Sequence, residues 1–422
     1  MSDPKTAMPP ALAVVVLSLL LGLQPITTDL YLPALPAITQ GFAASMPQAQ
    51  LTLTALLLAF GLSQMVWGPL SDRFGRRPIL LVGMAIYVAA ALGGALATTM
   101  EMLIGWRMAQ GVSMGAGVMC ARAIVRDLYD PSEGARMMSK GLSGLGVIAC
   151  VCAPLGGLLS EVFSWRVALA APAVFGAATL ALLAWRFEET LQPANRQPLA
   201  MGALLRTWVG IMSNRTFWAF AILATATYGG LFTFLAASSF VFIQVLGVSK
   251  THYGLLMFSM SLSYIAGTFI CRRLLVHFGV RRTVAIGGAI TLTAGSTMGV
   301  LGWMGVQSVW AIMLPFYLFM IGHGVHQPCG QSGAVNPFPK SAGAASALSG
   351  FLMMVAAFAM GGWLGKSLAG ISQGQGSVLP LTNGVWFWSV VISATAWTLV
   401  QRSGHIDSPP QREPAPVAPL AP

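Results

Sequence analysis

Apolar stretches of about 20 residues alternate with short polar turns along the whole chain. They lie near residues 11–31, 50–69, 79–98, 102–124, 141–161, 166–185, 217–240, 253–271, 284–303, 308–327, 343–364 and 383–401. At about 1.5 Å of rise per residue, 20 helical residues cross the roughly 30 Å of hydrocarbon in a bilayer. The pattern therefore predicts twelve membrane-spanning helices. The longest polar interruption, 187–214, separates six spans from six and sets the expected organisation. A short segment 1–10 leads into a six-helix bundle over 11–187, a central loop over 188–214, a second six-helix bundle over 215–402, and a disordered tail over 403–422 rich in Pro and Ala. Within the loop, Leu204, Leu205, Arg206 and Trp208 suit a short helix lying on the leaflet, with a plain linker as the simpler expectation.

Composition fixes the class. Of 422 residues, 56% are hydrophobic and 8% charged, with mean hydropathy +0.73. Soluble domains carry about 25% charged residues, so an ordinary soluble enzyme is excluded. In a soluble protein the net charge of +11 would suggest nucleic acid, but here its distribution reports topology. With a cytoplasmic amino terminus, 19 of the 23 Lys and Arg fall on the inner side. Only Arg166, Lys250 and Lys366 fall outside, and Arg107 lies within a span. The positive-inside rule then predicts that both termini are cytoplasmic and that no nucleic acid is bound. The leader MSDPKTAMPP is barely basic and no small-residue cleavage site precedes Asp29, so the first span is expected to remain uncleaved. Five cysteines lie in or beside apolar segments without C-x-x-C spacing, and read as small buried hydrophobes.

The halves echo each other at an offset of 204 residues. Arg73-Phe74-Gly75-Arg76-Arg77, after span 2, matches His277-Phe278-Gly279-Val280-Arg281, after span 8, and Gly83 matches Gly287. Duplicated halves around a midplane site are what alternating-access transporters use. The most informative string is Gly68-Pro69-Leu70-Ser71-Asp72-Arg73-Phe74-Gly75-Arg76-Arg77-Pro78. Gly68 and Gly75 permit close backbone approach and a tight turn, Asp72 supplies a fixed negative charge, and the three arginines hold the loop at an anionic leaflet.

That string resembles the signature loop between spans 2 and 3 of the major facilitator superfamily. Other segments resemble its 12-span drug:proton antiporters, and within them the bicyclomycin/chloramphenicol-resistance branch. They are Thr28-Asp29-Leu30-Tyr31-Leu32-Pro33 in span 1, Arg107-Met108-Ala109-Gln110-Gly111 in span 4, Ala153-Pro154-Leu155-Gly156-Gly157 in span 5, and Gly322-His323-Gly324-Val325-His326-Gln327-Pro328 in span 10. Span 5 departs from the antiporter motif, with Ala153 where Gly is usual and one residue fewer before the glycine pair. The resemblance implies an all-α integral membrane protein with 12 transmembrane helices in two pseudo-symmetric six-helix bundles. It further implies a monomer in a bacterial inner membrane that exports small lipophilic drug-like molecules in exchange for protons.

Two charges bear on coupling. Arg107 enters about 8 Å into span 4 from its outer end, and Asp29 lies about 27 Å along span 1, at similar depth. Unpaired, each would cost several kcal/mol, so each is expected to face the bundle interior, paired or wetted by a cavity. Asp29 is the expected proton carrier, balanced between burial and Arg107; a snorkelling Arg107 and a capping Asp29 are the plainer alternatives. Asp72 and Asp127 are expected to share Arg73 or Arg76 in a charge cluster that locks one conformation, or else to be separate solvated charges.

For the substrate pocket, the candidate walls are Gln24, Thr28 and Tyr31 at i, i+4 and i+7, Gln110 with Met114, and Tyr228, Phe232, Ser238, Tyr317, His323 and His326 from the second half. His323, His326 and Cys329 recur at i, i+3 and i+6, but three residues on one helix do not close a tetrahedral shell, so no metal is expected. With no phosphate-binding loop, catalytic triad or H-E-x-x-H string, neither a cofactor nor catalysis is expected. The partners are then a lipophilic substrate, protons and membrane lipid. A metabolite carrier of the same fold and a sensor that has lost transport are the alternatives.

Overall fold

The computed structural model describes residues 8–196, 201–370 and 376–404. Segment 1–7 and most of the expected tail, 405–422, lie outside the described residues. The helices in chain order are α1 (Pro10–Thr28), α2 (Leu35–Gly41), α3 (Met46–Phe74), α4 (Arg76–Ala95), α5 (Met100–Leu128), α6 (Pro131–Val162), α7 (Trp165–Arg186), α8 (Met201–Met212), α9 (Arg215–Phe240), α10 (Lys250–Trp303), α11 (Val309–Val335), α12 (Ala342–Ser367), α13 (Leu379–Trp397) and α14 (Leu399–Ser403). No strand occurs among the described residues. Eleven helical runs are long and apolar enough to cross a membrane. One of them, α10, has 54 residues and breaks at Gly279 (φ 68°, ψ 177°), so it supplies two spans and completes twelve.

The helices run past the apolar stretches that announced them. Span 1 continues from α1 through a 3-10 turn, Leu32–Ala34, into α2. Span 2 extends over Met46–Phe74 and is capped at its start by Ser45. Gln48 N donates to Ser45 Oγ (3.5 Å) and Ser45 N donates to Gln48 Oε1 (3.0 Å), a reciprocal cap that satisfies orphan amides. Within the central loop the linker expectation gives way to a helix, α8, packed against α9 and α12.

Large apolar side chains such as Val66, Val174, Trp185 and Leu314 are exposed on the outside, as a lipid-facing belt requires. The 204-residue echo is structural. Gly83 of α4 faces Ala116 of α5, and Gly287 of α10 faces His326 of α11, so the same pair of spans approaches closely in each half. The end of the molecule carrying Arg73, Arg76, Arg77 and Arg126 is called here the basic face, and the opposite end the far face.

Candidate functional site

At the far face the two halves are sewn together. Gln50 Nε2 of α3 donates to Ala236 O of α9 (2.9 Å), Lys250 Nζ of α10 donates to Ser160 O of α6 (3.0 Å), and Thr251 N donates to Glu161 Oε2 (2.7 Å). The Ala153-Pro154-Leu155-Gly156-Gly157 string sits in this seam. Gly156 lies against Leu30 O and Gly157 against Lys250 O, with no room for a Cβ at either. A Cβ on Gly254 would stand 2.6 Å from Ala153 O, so the contact is tight from both sides. These glycines let α6 touch the turn that follows α1 and the start of α10 backbone to backbone.

Towards the basic face the halves separate around a cavity of about 140 Å³. Its walls come from Gln24, Phe60, Gln64, Val118 and Arg122 of the first half, and from Tyr228, Gln327, Gln331, Ser346, Met353 and Met354 of the second, among others. Arg122 and Gln331 are exposed, so the cavity communicates with solvent on that side. Gln327 Oε1 is buried without a partner among the described residues. The site is thus a polar-lined space closed at one end and open at the other.

Arg107 lies outside that space, 2% exposed within the first half. Its Nη1 donates to Thr27 O (3.0 Å) and Gln110 Oε1 (3.0 Å), its Nε to Thr52 O (3.3 Å), and its guanidinium stands 4.2 Å from the centre of the Tyr31 ring. The Thr27 carbonyl is available because Asp29 N and Leu30 N both bond back to Pro25 O where α1 ends. Thr27 Oγ1 shares a hydrogen bond with the Tyr87 hydroxyl (2.6 Å), and Tyr31 donates to Thr52 Oγ1 (2.6 Å). Carbonyls and a ring face thereby hold a cation in an apolar bundle without a counter-ion.

The expected pairing of Asp29 with Arg107 does not occur; no such ion pair exists among the described residues. Asp29 is half-buried, accepts from Thr28 Oγ1 (2.8 Å), and its charge reaches the phenols of Tyr228 and Tyr253 across the seam and the thiol of Cys152. Arg107 faces into the first half, whereas Asp29 faces the boundary between halves, and the end of α1 lies between them. Depth along a helix put the two charges level but said nothing of direction.

Of the residues expected to wall the pocket, Gln24 and Tyr228 line the cavity. Thr28 bonds Gln24 O (2.9 Å). Tyr31, Gln110, Met114 and Phe232 are buried in helix packing. Ser238 shares a hydrogen bond with the Tyr253 hydroxyl (2.9 Å), and Tyr317 with Ser259 (2.7 Å). His323 Nδ1 bonds Thr227 Oγ1 (2.9 Å), and His326 Nε2 meets Val284 O (3.2 Å), both inside the second half. Cys271 and Cys329 approach to 3.8 Å as free thiols.

At the basic face, Arg76 takes the central place that the sequence left open between it and Arg73. Arg76 Nη1 pairs with Asp72 Oδ1 (2.7 Å), Nε with Asp127 Oδ2 (2.8 Å), and Nη1 also donates to Ser71 Oγ (2.8 Å). Arg126 adds a looser contact to Asp72 (3.3 Å), while Arg73 lies over the Phe74 ring. Arg77 donates to Ala184 O of α7 (3.0 Å). Sequence reasoning missed Glu189, which follows α7 and caps the start of α4. Its carboxylate accepts from Arg76 N (2.8 Å) and Arg77 N (3.1 Å), where a helix amino terminus favours an anion. Gly75 (φ 103°, ψ 164°) leaves the space that Glu189 fills, and a Cβ there would collide with that carboxylate. Thr190 adds a bond to Asp127 (3.3 Å). The acid pair Glu188-Glu189 beside the last arginine of span 6 was the one available signal.

Comparison with known proteins sets this geometry in context. The family model described as Major Facilitator Superfamily matches residues 17–362. The chain is 30% identical over 366 residues to "Multidrug resistance protein D" of Escherichia coli, covering 86% of this chain and 90% of that one. It is 28% identical over 322 residues to "Chloramphenicol resistance protein" of Pseudomonas aeruginosa, covering 76% and 75%. Among solved structures it is similar to a D-xylose-proton symporter, with TM-score 0.71 at 14% identity over 92% of this chain and 96% of that one.

Proposed function

Since the chain belongs to the major facilitator superfamily, and is thus a multi-pass membrane transporter of small molecules with no catalytic role, we propose that it exports drug-like compounds by exchanging them for protons. The observation that carries this reading is the cavity sealed at the far face and open at the basic face, with Asp29 at the closed end beside the seam. In the reading, the basic face is cytoplasmic in a bacterial inner membrane, and the state described is the one that loads substrate from inside. Release outward requires the far-face contacts of Gln50, Lys250 and Glu161 to open while the basic face closes.

Asp29 is the group through which protons act. It is bonded to Thr28 of the first half and lies within electrostatic range of Tyr228 and Tyr253 of the second, so its protonation changes the electrostatics of the seam that must open. Arg107 acts differently in this reading, as the cation that fixes the end of α1 and so holds Asp29 in place. Each 100 mV of membrane potential supplies about 2.3 kcal/mol per charge moved, on the order of 50-fold accumulation per proton. The cluster of Gly68, Asp72, Arg73, Gly75, Arg76, Arg77 and Asp127 is the switch that holds the cytoplasmic side of the first half in one arrangement.

The test is cellular accumulation of a panel of antibiotics and dyes, including chloramphenicol, in a bacterium stripped of its own pumps and expressing this chain, with and without a protonophore. Accumulation lowered by the protein and restored by the protonophore is the expected result. No reduction for any compound sinks the drug reading and leaves metabolite transport in front. Asp29→Asn is expected to abolish protonophore-sensitive export; if export of every substrate survives intact, Asp29 is not the coupling group.

A further inference from the structure

Arg122 is the one charged side chain among the cavity-lining residues. It lies on α5 six residues before the helix ends at Leu128, hence on the order of 9 Å inside the basic face. Unlike Arg76 it has no carboxylate within ion-pair distance among the described residues. Its one described bond is from Nη1 to Ser346 Oγ of α12 (2.9 Å), across the gap between the halves. A topology-setting arginine needs only a place at the helix end, which Arg126 already fills. Arg122 instead faces inward and stays exposed to the cavity.

Around it the wall is made of neutral amides and apolar side chains. Gln64, Gln327 and Gln331 offer both donors and acceptors, and Gln327 Oε1 stands without a partner. Phe60, Met353 and Met354 supply a pliable apolar surface. Asp29, five residues beyond Gln24, is not among the lining residues and is already bonded to Thr28, while Asp127, five residues after Arg122 on α5, is taken up by Arg76. Arg107 is enclosed in the first half and does not line the space. The entrance therefore has a fixed positive charge with no ion-pair partner among the described residues, beside both amide and apolar surface.

We propose that this cavity selects lipophilic anions, compounds with an aromatic or aliphatic body and a carboxylate or comparable oxyanion, and that Arg122 is the residue that binds the anionic head. A guanidinium presents its donors in a planar fork that matches a carboxylate in two bonds, and Ser346 holds that fork across the gap. Lipophilic cations meet the same charge as repulsion. The inference deepens the export reading above and rests on it for the meaning of the site, while its test does not depend on export.

The test is equilibrium dialysis of the purified chain in phosphatidylcholine nanodiscs, with empty nanodiscs subtracted. Three probes share one scaffold: biphenyl-4-carboxylate, biphenyl-4-carboxamide and biphenyl-4-methylammonium. The wild-type chain is expected to bind the carboxylate roughly tenfold or more tightly than the ammonium, with the amide between, as a charge-assisted hydrogen bond implies. Arg122→Lys keeps the order, Arg122→Gln flattens it, and Arg122→Glu reverses it. The ratio within each variant cancels losses common to all three probes. A wild-type chain that binds the three alike, or prefers the ammonium, overturns the proposal regardless of the variants; so does an order unchanged in Arg122→Gln. If accumulation assays fail but the carboxylate preference holds, the site stands and the export reading falls. Export without that preference removes this inference alone.

Discussion

The loops at residues 68–77 and 272–281 share one turn and differ in the charges around it. Both turn on a glycine in a region closed to other residues, Gly75 at φ 103° and Gly279 at φ 68°, with ψ near 180°. In both, an arginine of the second helix reaches a carbonyl of the last span of its half: Arg77 to Ala184 O, and Arg281 to Gln401 O. Gln401 returns a bond to Arg281 O (3.0 Å). The backbone solution is common to both halves. The charges are not, because Val276, Val280 and Gln331 stand at the 204-residue offset from Asp72, Arg76 and Asp127. Geometry of the turn and electrostatics of the lock are therefore separable, and only the first half carries the lock.

The sharpest way to break the comparison is to remove Arg76. It is 1% exposed, and Arg76→Ala leaves the largely buried Asp127 without its cation and Asp72 with only the looser contact to Arg126. Breaking such a buried pair costs about 3–5 kcal/mol, readable as a lower midpoint in thermal unfolding of the detergent-purified protein. Val280→Ala, at the matching place, removes two methyl groups from a half-buried site and is expected to cost under about 1 kcal/mol. Equal losses at the two positions would mean that the charge network adds nothing to the shared turn.

Some of this was legible beforehand and some was not. Twelve spans, the echo between halves and the special loop follow from apolar length, glycine placement and charge, which are local properties of the chain. The direction in which a side chain faces is not local. A helix buried on one side and bathed in lipid on the other is apolar all round, so its pattern does not reveal which face meets the cavity. Hence Gln24 and Tyr228 were found among the cavity walls, while Gln64, Gln327, Gln331 and Arg122 were passed over. Depth along the spans singles out Asp29 and Arg107, yet the carbonyls and ring that hold Arg107 come from Thr27, Thr52 and Tyr31 on two other spans. Glu189 reaches 113 residues back to Arg76, beyond any periodic signal.

The glycines give the next test. Alanine at either position must enter a region that side chains rarely adopt, at about 1–3 kcal/mol. Nothing lies within 4 Å of a Cβ built at Gly279, whereas at Gly75 the Glu189 carboxylate is in the way. Gly75→Ala is therefore expected to destabilise more than Gly279→Ala in the same melt. A Gly75→Ala, Glu189→Ala double variant separates the causes: it should fall short of the sum of the singles, because the collision is then gone.

Glu189 itself ranks below the glycine. Glu189→Ala strips an acceptor from two amides at the start of α4 and is expected to cost about 0.5–2 kcal/mol, as other helix caps do. Glu189→Gln keeps an acceptor and loses the charge, so only the dipole contribution of about 0.3–1 kcal/mol should vanish, and raised salt should shrink it further. A glutamine variant as damaged as the alanine one would mean that charge, not hydrogen bonding, holds the cap.

The smallest effect belongs to the pair of features that the two loops still share. Arg77 is exposed and Arg281 half-buried, and each makes its bond to a carbonyl rather than to an acid. For Arg77 the loss on substitution by alanine should stay near 0.5–1 kcal/mol, since water replaces the lost partner on both sides. For Arg281 it should be larger, because at this half-buried site the Gln401 carbonyl that loses the guanidinium is less open to water, and half of the clasp between the two chain segments is gone. Measured side by side, Arg281→Ala should lower the midpoint more than Arg77→Ala, the reverse of the order at the preceding position, where Arg76 outweighs Val280. The reversal is what a half without a charge lock demands: its loop is held by the clasp between α10 and α14, where the other is held by acids. If Arg77→Ala proves the costlier of the two, the second loop is not anchored through that clasp, and the division between a shared turn and a separate lock has been drawn in the wrong place.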